Sequence, residues 1–226
     1  MSTYKIVLFD LDGTLSDPKV GITKSVQYAL NKLGINEPNL NRLDCFIGPP
    51  LQETFSSKYG FNEHQTKLAI EFYRERFKEK GMYENTLYPQ IPSLLSELKN
   101  NGVILVVATS KPTVFSNQIL DYFTIRDYFK LVVGSNLDGT RSAKTEIIEY
   151  IVQQLNVSSY SDVVMIGDRM HDIIGAKNVG VDSIGVTYGY GSEDELKKCT
   201  PTYIVHHVEE LRKLLVSGVM VSNEKQ

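Results

Sequence analysis

Four short stretches of the sequence carry side chains that could act on one another chemically. The first is DLDGT at 10–14, which follows directly on the apolar run YKIVLF at 4–9. Side chains alternate along a strand, so Asp10 and Asp12 face the same way. Two carboxylates at the end of a buried strand repel each other, and withdrawing them from water is costly unless a cation or hydrogen bonds compensate. A hard divalent ion with oxygen ligands meets that need. Gly13 allows an unusual backbone turn and brings amide N–H groups close to an anion. Taken alone, the same five residues also suit a helix cap or a simple turn.

The second stretch is GDRMHD at 167–172, again just after an apolar run (163–166). Asp168 ends that run and Asp172 stands four residues on, where it also suits a helix N-cap. Ligands of open α/β sheets bind outside the carboxyl ends of the strands, so Asp10 and Asp168 meet if their strands are neighbours. The third stretch is Thr109-Ser110-Lys111, whose hydroxyl and backbone amides could hold an anionic oxygen, or simply cap a helix. The fourth is Lys144. A lysine in a first helical turn opposes the helix dipole. It could instead balance nearby carboxylates and steady a transferring phosphoryl group. A solvated surface lysine is the plain alternative, and Arg141 invites the same comparison.

The elements that must position these residues are legible as apolar periodicity. Runs at 103–108, 131–133, 163–166, 183–187 and 203–205 read as buried parallel strands. Between them lie helical patterns: Ile91, Leu94, Leu95 and Leu98; Ile147, Ile148, Ile151, Val152 and Leu155; Val208, Leu211, Leu214 and Leu215. Alternating strand and helix predict an α/β fold with a Rossmann-like parallel sheet flanked by helices. Residues 18–85 break the alternation. Ile22, Val26, Ala29, Leu30 and Leu33 mark one helix, and Leu68, Phe72 and Phe77 another. We expect a catalytic core of residues 1–16 and 86–226, with residues 17–85 inserted as a small all-helical cap. Hinges fall near 16–18 and 81–89, and the residues after Ser217 read as a frayed tail.

The chain has 226 residues, 42% hydrophobic and 23% charged, with a net charge of −3. These values suit a globular protein and give no basic excess for nucleic acid. Cys45 and Cys199 lie far apart in no metal-like spacing, which speaks against a secreted disulfide framework. No stretch approaches the roughly 18 apolar residues of a membrane span. A soluble cytoplasmic protein, monomer or homodimer, is the expectation.

The four motifs in this order resemble the haloacid dehalogenase superfamily of aspartate-nucleophile phosphatases, over nearly the whole chain. DLDGT is the most specific of them; Thr109 in VVATSKP, Lys144 and GDRMHD follow. The helical insertion is similar to the superfamily's small helical cap type. IGPPL at 47–51, TSKP at 109–112 and GVTYGYGS at 185–192 resemble the phosphoglycolate phosphatase-like branch, and 135–144 resembles members described as nucleotidases.

The resemblance implies that Asp10 attacks phosphorus and that Asp12 serves as acid and then base. It implies Mg²⁺ held by Asp10, the Asp12 carbonyl and Asp168, with Asp172 in support. Thr109 and Lys144 would bind phosphoryl oxygens, helped by Gly13, Thr14, Ser110 and Arg141. The implied substrate is a small phosphorylated metabolite: phosphoglycolate, a nucleoside monophosphate or a sugar phosphate. The GPP turn at 48–50 and the YGYG stretch at 188–191 could flank the site, or be ordinary connections. A phosphosugar mutase would use the same acids, whereas a non-catalytic phosphometabolite sensor would need no nucleophile. A phospho-accepting receiver domain is too short for this chain.

Overall fold

The computed structural model describes residues 4–217. Its centre is a six-stranded sheet whose paired neighbours all run parallel: β1 (Ile6–Phe9), β4 (Ile104–Pro112), β5 (Leu131–Ser135), β6 (Val163–Gly167), β7 (Asp182–Val186) and β8 (Tyr203–Val205). The order across it is β5-β4-β1-β6-β7-β8. The first strand is therefore central, with β4 on one side and β6 on the other.

Period-two alternation divides the strands between two cores. Val7, Phe9, Leu105, Val107, Val164 and Ile166 belong to one face. Ile6, Leu8, Val106, Ala108, Val163 and Met165 belong to the other. Helices α6 (Lys144–Gln154) and α7 (Met170–Val179) cover the second face with Ile147, Ile148, Ile151 and Ala176. The first face is covered by α4 (Ile91–Asn100), α5 (Thr113–Tyr122) and α9 (Val208–Arg212), through Leu94, Leu98, Phe115, Ile119 and Leu211. Both faces being covered is why the strands read as continuous apolar runs rather than as alternating ones. The short helix α8 (Glu193–Cys199) lies between β7 and β8.

The stretch that broke the alternation is helical. It holds α1 (Lys19–Lys32), a 3₁₀ segment over Leu40–Phe46, α2 (Leu51–Tyr59) and α3 (Glu63–Glu79). Its two ends are flanked by β2 (Ser16–Asp17) and β3 (Thr86–Leu87), which pair antiparallel. Sequence periodicity could not reveal two-residue strands. The inward face of α3 also differs from the sequence reading. Thr66, Ala69, Tyr73 and Phe77 are buried, while Leu68 and Phe72 are only half-buried. Hydrophobicity favoured Leu68 and Phe72; the fold instead turns inward a tyrosine that carries a hydroxyl. The expectation for the residues after Ser217 lies outside the described residues.

Candidate active site

The carboxyl ends of β1, β4 and β6 converge because these three strands are neighbours. Asp10 leaves β1 with its amide donating to Ile166 O of β6 at 2.9 Å. The chain then turns tightly. The amides of Thr14, Leu15 and Ser16 all donate to Leu11 O, and Gly13 N donates to Ser16 O at 2.8 Å. The Gly13 N–H is thus spent inside the turn. The amides of Leu11 and Asp12 form no hydrogen bond among the described residues and remain available. Gly13 sits at φ +85°, and a Cβ there would overlap the Asp168 carboxylate. The glycine is needed so that the turn can lie against that acid.

Lys144, the first residue of α6, is buried. Its Nζ lies 2.7 Å from Asp10 Oδ1 and 2.6 Å from Asp172 Oδ1, and donates to Ala108 O at 2.8 Å. It is no surface lysine. Burial alone would push its proton off, but the two carboxylates outweigh that and raise its pKa. Asp172 accepts from Arg169 N at 3.1 Å in the first turn of α7. Asp168 accepts from Tyr190 N at 2.7 Å and from the Thr14 hydroxyl at 3.5 Å. The Thr14 side chain therefore faces Asp168. Thr109 is buried within β4 rather than at a helix cap. Its Oγ1 accepts from Lys111 N at 3.3 Å, which leaves its own proton to donate.

Two expected anion ligands have their side chains engaged elsewhere. Arg141 Nε donates to Gly134 O at 3.1 Å, and its guanidinium lies over the Tyr150 ring at 4.5 Å. The Ser110 hydroxyl donates to Ser142 O at 3.0 Å. In both cases a nearby loop or ring satisfies the side chain.

Conversely, sequence reasoning took only backbone from Lys111. The structure pairs its ammonium with Asp12 Oδ2 at 2.8 Å, leaving the buried Asp12 Oδ1 without a hydrogen bond. Its position two residues beyond Thr109 on the same strand end was the available clue. The YGYG stretch also touches the site, since a Cβ on Gly189 or Gly191 would overlap Asp168. The Tyr188 hydroxyl donates to Thr14 O, and the Tyr190 hydroxyl donates to Asp17. The GPP turn comes close through Arg169, which donates to Ile47 O at 2.9 Å and pairs with Glu195.

Four buried carboxylates, Asp10, Asp12, Asp168 and Asp172, thus face two ammoniums, Lys111 and Lys144. Fully ionised, the group keeps two uncompensated negative charges. The strain shows in the acids. Burial, then Asp172 and Asp10, raises Asp168 well above the usual carboxylate range. Burial raises Asp172 to about 6, against the pull of Lys144. Burial raises Asp12 against the pull of Lys111. Asp10, Asp168 and Asp172 can each offer an oxygen with all three atoms within 4.8 Å of one another. Hard oxygen donors with surplus negative charge fit a divalent cation such as Mg²⁺. The Asp12 side chain stands apart from that set, held by Lys111.

Sheet order, site position and motif content define one class of protein. The family model for haloacid dehalogenase-like hydrolases matches residues 7–186. The chain belongs to that family. It is 50% identical over 214 residues to a 5′-nucleotidase of Pseudomonas aeruginosa, covering 95% of this chain and 96% of the relative. It is 37% identical to the tyrosine-protein kinase PtkA of Mycobacterium tuberculosis, over 93% of this chain and 72% of that protein. A phosphoglycolate phosphatase of Vibrio parahaemolyticus is 27% identical, over 93% of this chain and 96% of its own length. The crystal structure of a predicted phosphatase from Clostridium acetobutylicum superposes with a TM-score of 0.91 at 53% identity, covering 94% of this chain and 98% of that one.

Proposed function

We propose that this phosphatase of the haloacid dehalogenase-like family hydrolyses small phosphate monoesters with magnesium, passing the phosphoryl group through Asp10. The observation that carries the reading is a division of labour between two neighbouring acids. The Asp10 carboxylate is held by Lys144 beside Asp168 and Asp172. Asp12 is instead held by Lys111 and lines the cavity. One acid is placed for attack beside a metal set, and the other for proton transfer.

In the first step an Asp10 oxygen bonds to phosphorus as the ester P–O bond breaks, and the leaving oxygen takes the proton of Asp12. In the second, Asp12 removes a proton from water. The hydroxide attacks phosphorus, freeing phosphate and restoring the Asp10 carboxylate. Lys144, the Thr109 hydroxyl and the free amides of Leu11 and Asp12 bind the phosphoryl oxygens. Asp10, Asp168, Asp172 and the Asp12 carbonyl would hold Mg²⁺, which supplies charge neutralisation at the phosphoryl group. Residues 17–85 act as a cap on the core of residues 1–16 and 86–226, excluding competing water. The relative named 5′-nucleotidase makes nucleoside 5′-monophosphates the first substrates to test, with phosphoglycolate and sugar phosphates beside them.

Phosphate release from such a panel, with Mg²⁺ or chelator, tests this for wild type and Asp10→Asn. Release should require both Mg²⁺ and Asp10, with Asp10→Asn at background. Activity that survives Asp10→Asn would sink the mechanism.

A further inference from the structure

A cavity is lined both by Asp12 and by the helical stretch, and four aromatic rings border it. Phe46 of the 3₁₀ segment, Tyr73 and Phe77 of α3, and Phe115 of α5 line it, with Lys111 at the near end. The Lys111 ammonium sits 2.8 Å from Asp12 and 4.5 Å from the centroid of Phe77. The ring wall therefore begins one ammonium away from the acid proposed to protonate the leaving oxygen. Tyr73 and Phe77 stack on one another, with centroids 5.2 Å apart and planes 16° from parallel.

Within this wall Tyr73 is anomalous. Its side chain is more than nine-tenths buried, with 5% exposure, yet its hydroxyl forms no hydrogen bond among the described residues. Buried phenols ordinarily find a protein partner, whereas this hydroxyl keeps accessible surface where Tyr73 lines the cavity. Burial, and after it the nearby Asp12 carboxylate, pushes the Tyr73 hydroxyl well above its usual pKa, so it stays protonated as a donor. A donor that borders a cavity and lacks a protein partner suits a ligand that supplies an acceptor.

We infer that Tyr73 is the specificity-determining residue through which α3 reads the alcohol half of the substrate. In this reading its hydroxyl donates to an oxygen acceptor on the leaving group. The inference rests on the phosphomonoesterase reading above. It favours alcohols large enough to carry an acceptor to Tyr73, such as nucleosides.

The test compares wild type with Tyr73→Phe on uridine 5′-monophosphate, whose ring carries carbonyl acceptors, and on phenyl phosphate, whose ring carries none. Tyr73→Phe keeps the stacked ring and removes only the hydroxyl. We expect kcat/KM for the nucleotide to fall roughly 10-fold to 100-fold, the range of one lost hydrogen bond, with phenyl phosphate unchanged within twofold. Equal losses on both esters, or no loss on either, would overturn the inference and assign Tyr73 to packing. Wild-type turnover of phenyl phosphate without turnover of the nucleotide would also overturn it, while leaving the hydrolase reading intact. Wild-type silence on both, and on the wider panel, would remove the hydrolase reading itself.

Discussion

At the scale of single residues, Asp168 shows how tightly this site is specified. Gly13, Gly189 and Gly191 each approach it closely enough that a side chain would overlap it. Thr14 and Tyr190 N hold its oxygens from the same sides. Gly13→Ala should therefore damage the site in two ways, by a strained positive φ and by displacement of the carboxylate. We expect a loss of about 1–3 kcal/mol in stability and a larger loss of phosphate release, measured by thermal unfolding and a steady-state assay. Wild-type values for both would show that the turn adapts. The acids were readable from sequence because carboxylates at strand ends have few other reasons to occur in pairs. Lys144 was readable because its place in a first helical turn is locally unfavourable. Lys111 and Tyr73 were not. A lysine beside a threonine and a tyrosine on an amphipathic helix each have a common alternative use, and only the packing removes it.

Elements were read with unequal success for physical reasons. Strands buried on both faces announce themselves as short apolar runs, and all six of the sheet were visible in that way. Helix α3 was found, but its orientation was not, because half-buried Leu68 and Phe72 advertised a face slightly rotated from the one the fold buries. The end of α3 offers a test. Arg76 Nη1 and Nη2 meet Glu84 at 2.8 and 3.1 Å, with Lys24 also in reach. These hydrogen bonds and charges hold the Glu84 carboxyl below its ordinary pKa. A depressed folded pKa means stability that is present in full above the unfolded value, about 4.3, and lost as pH falls through the folded value. The contribution is below about 1 kcal/mol because the pair is partly exposed. Glu84→Gln should lower the melting temperature slightly at pH 7, and the difference from wild type should close as pH falls below about 4. A difference that persists in acid would assign the effect to packing.

For the whole molecule, the uncompensated charge at the carboxyl ends of β1 and β6 is a defect that a bound cation would relieve. Mg²⁺ binding should therefore stabilise the fold. At 100 times its Kd a ligand adds about 2.7 kcal/mol, which for a chain of this size corresponds to a rise in Tm of roughly 5–10 °C. Asp168→Asn, having lost one oxygen anion of the set, should gain much less. Calorimetry with and without Mg²⁺ decides it, and equal shifts in both proteins would place the ion elsewhere. The global topology was partly legible. Alternating strands and helices imply a parallel sheet, and the shared motif chemistry requires β1 beside β6. What no local pattern discloses is a pair of two-residue strands.

That pair has an architectural consequence. Because β2 and β3 run side by side, the chain leaves the sheet region and re-enters it about one strand spacing away, roughly 4.8 Å. Seen from the sheet, everything between them is a loop on a single staple, however long it grows. Lengthening, shortening or exchanging that loop alters no strand order and breaks no register in β1 or β4. A lineage built on this plan can exchange those helices while the strand ends keep their carboxylates in place, and an engineer can graft at Asp17 and Thr86 for the same reason.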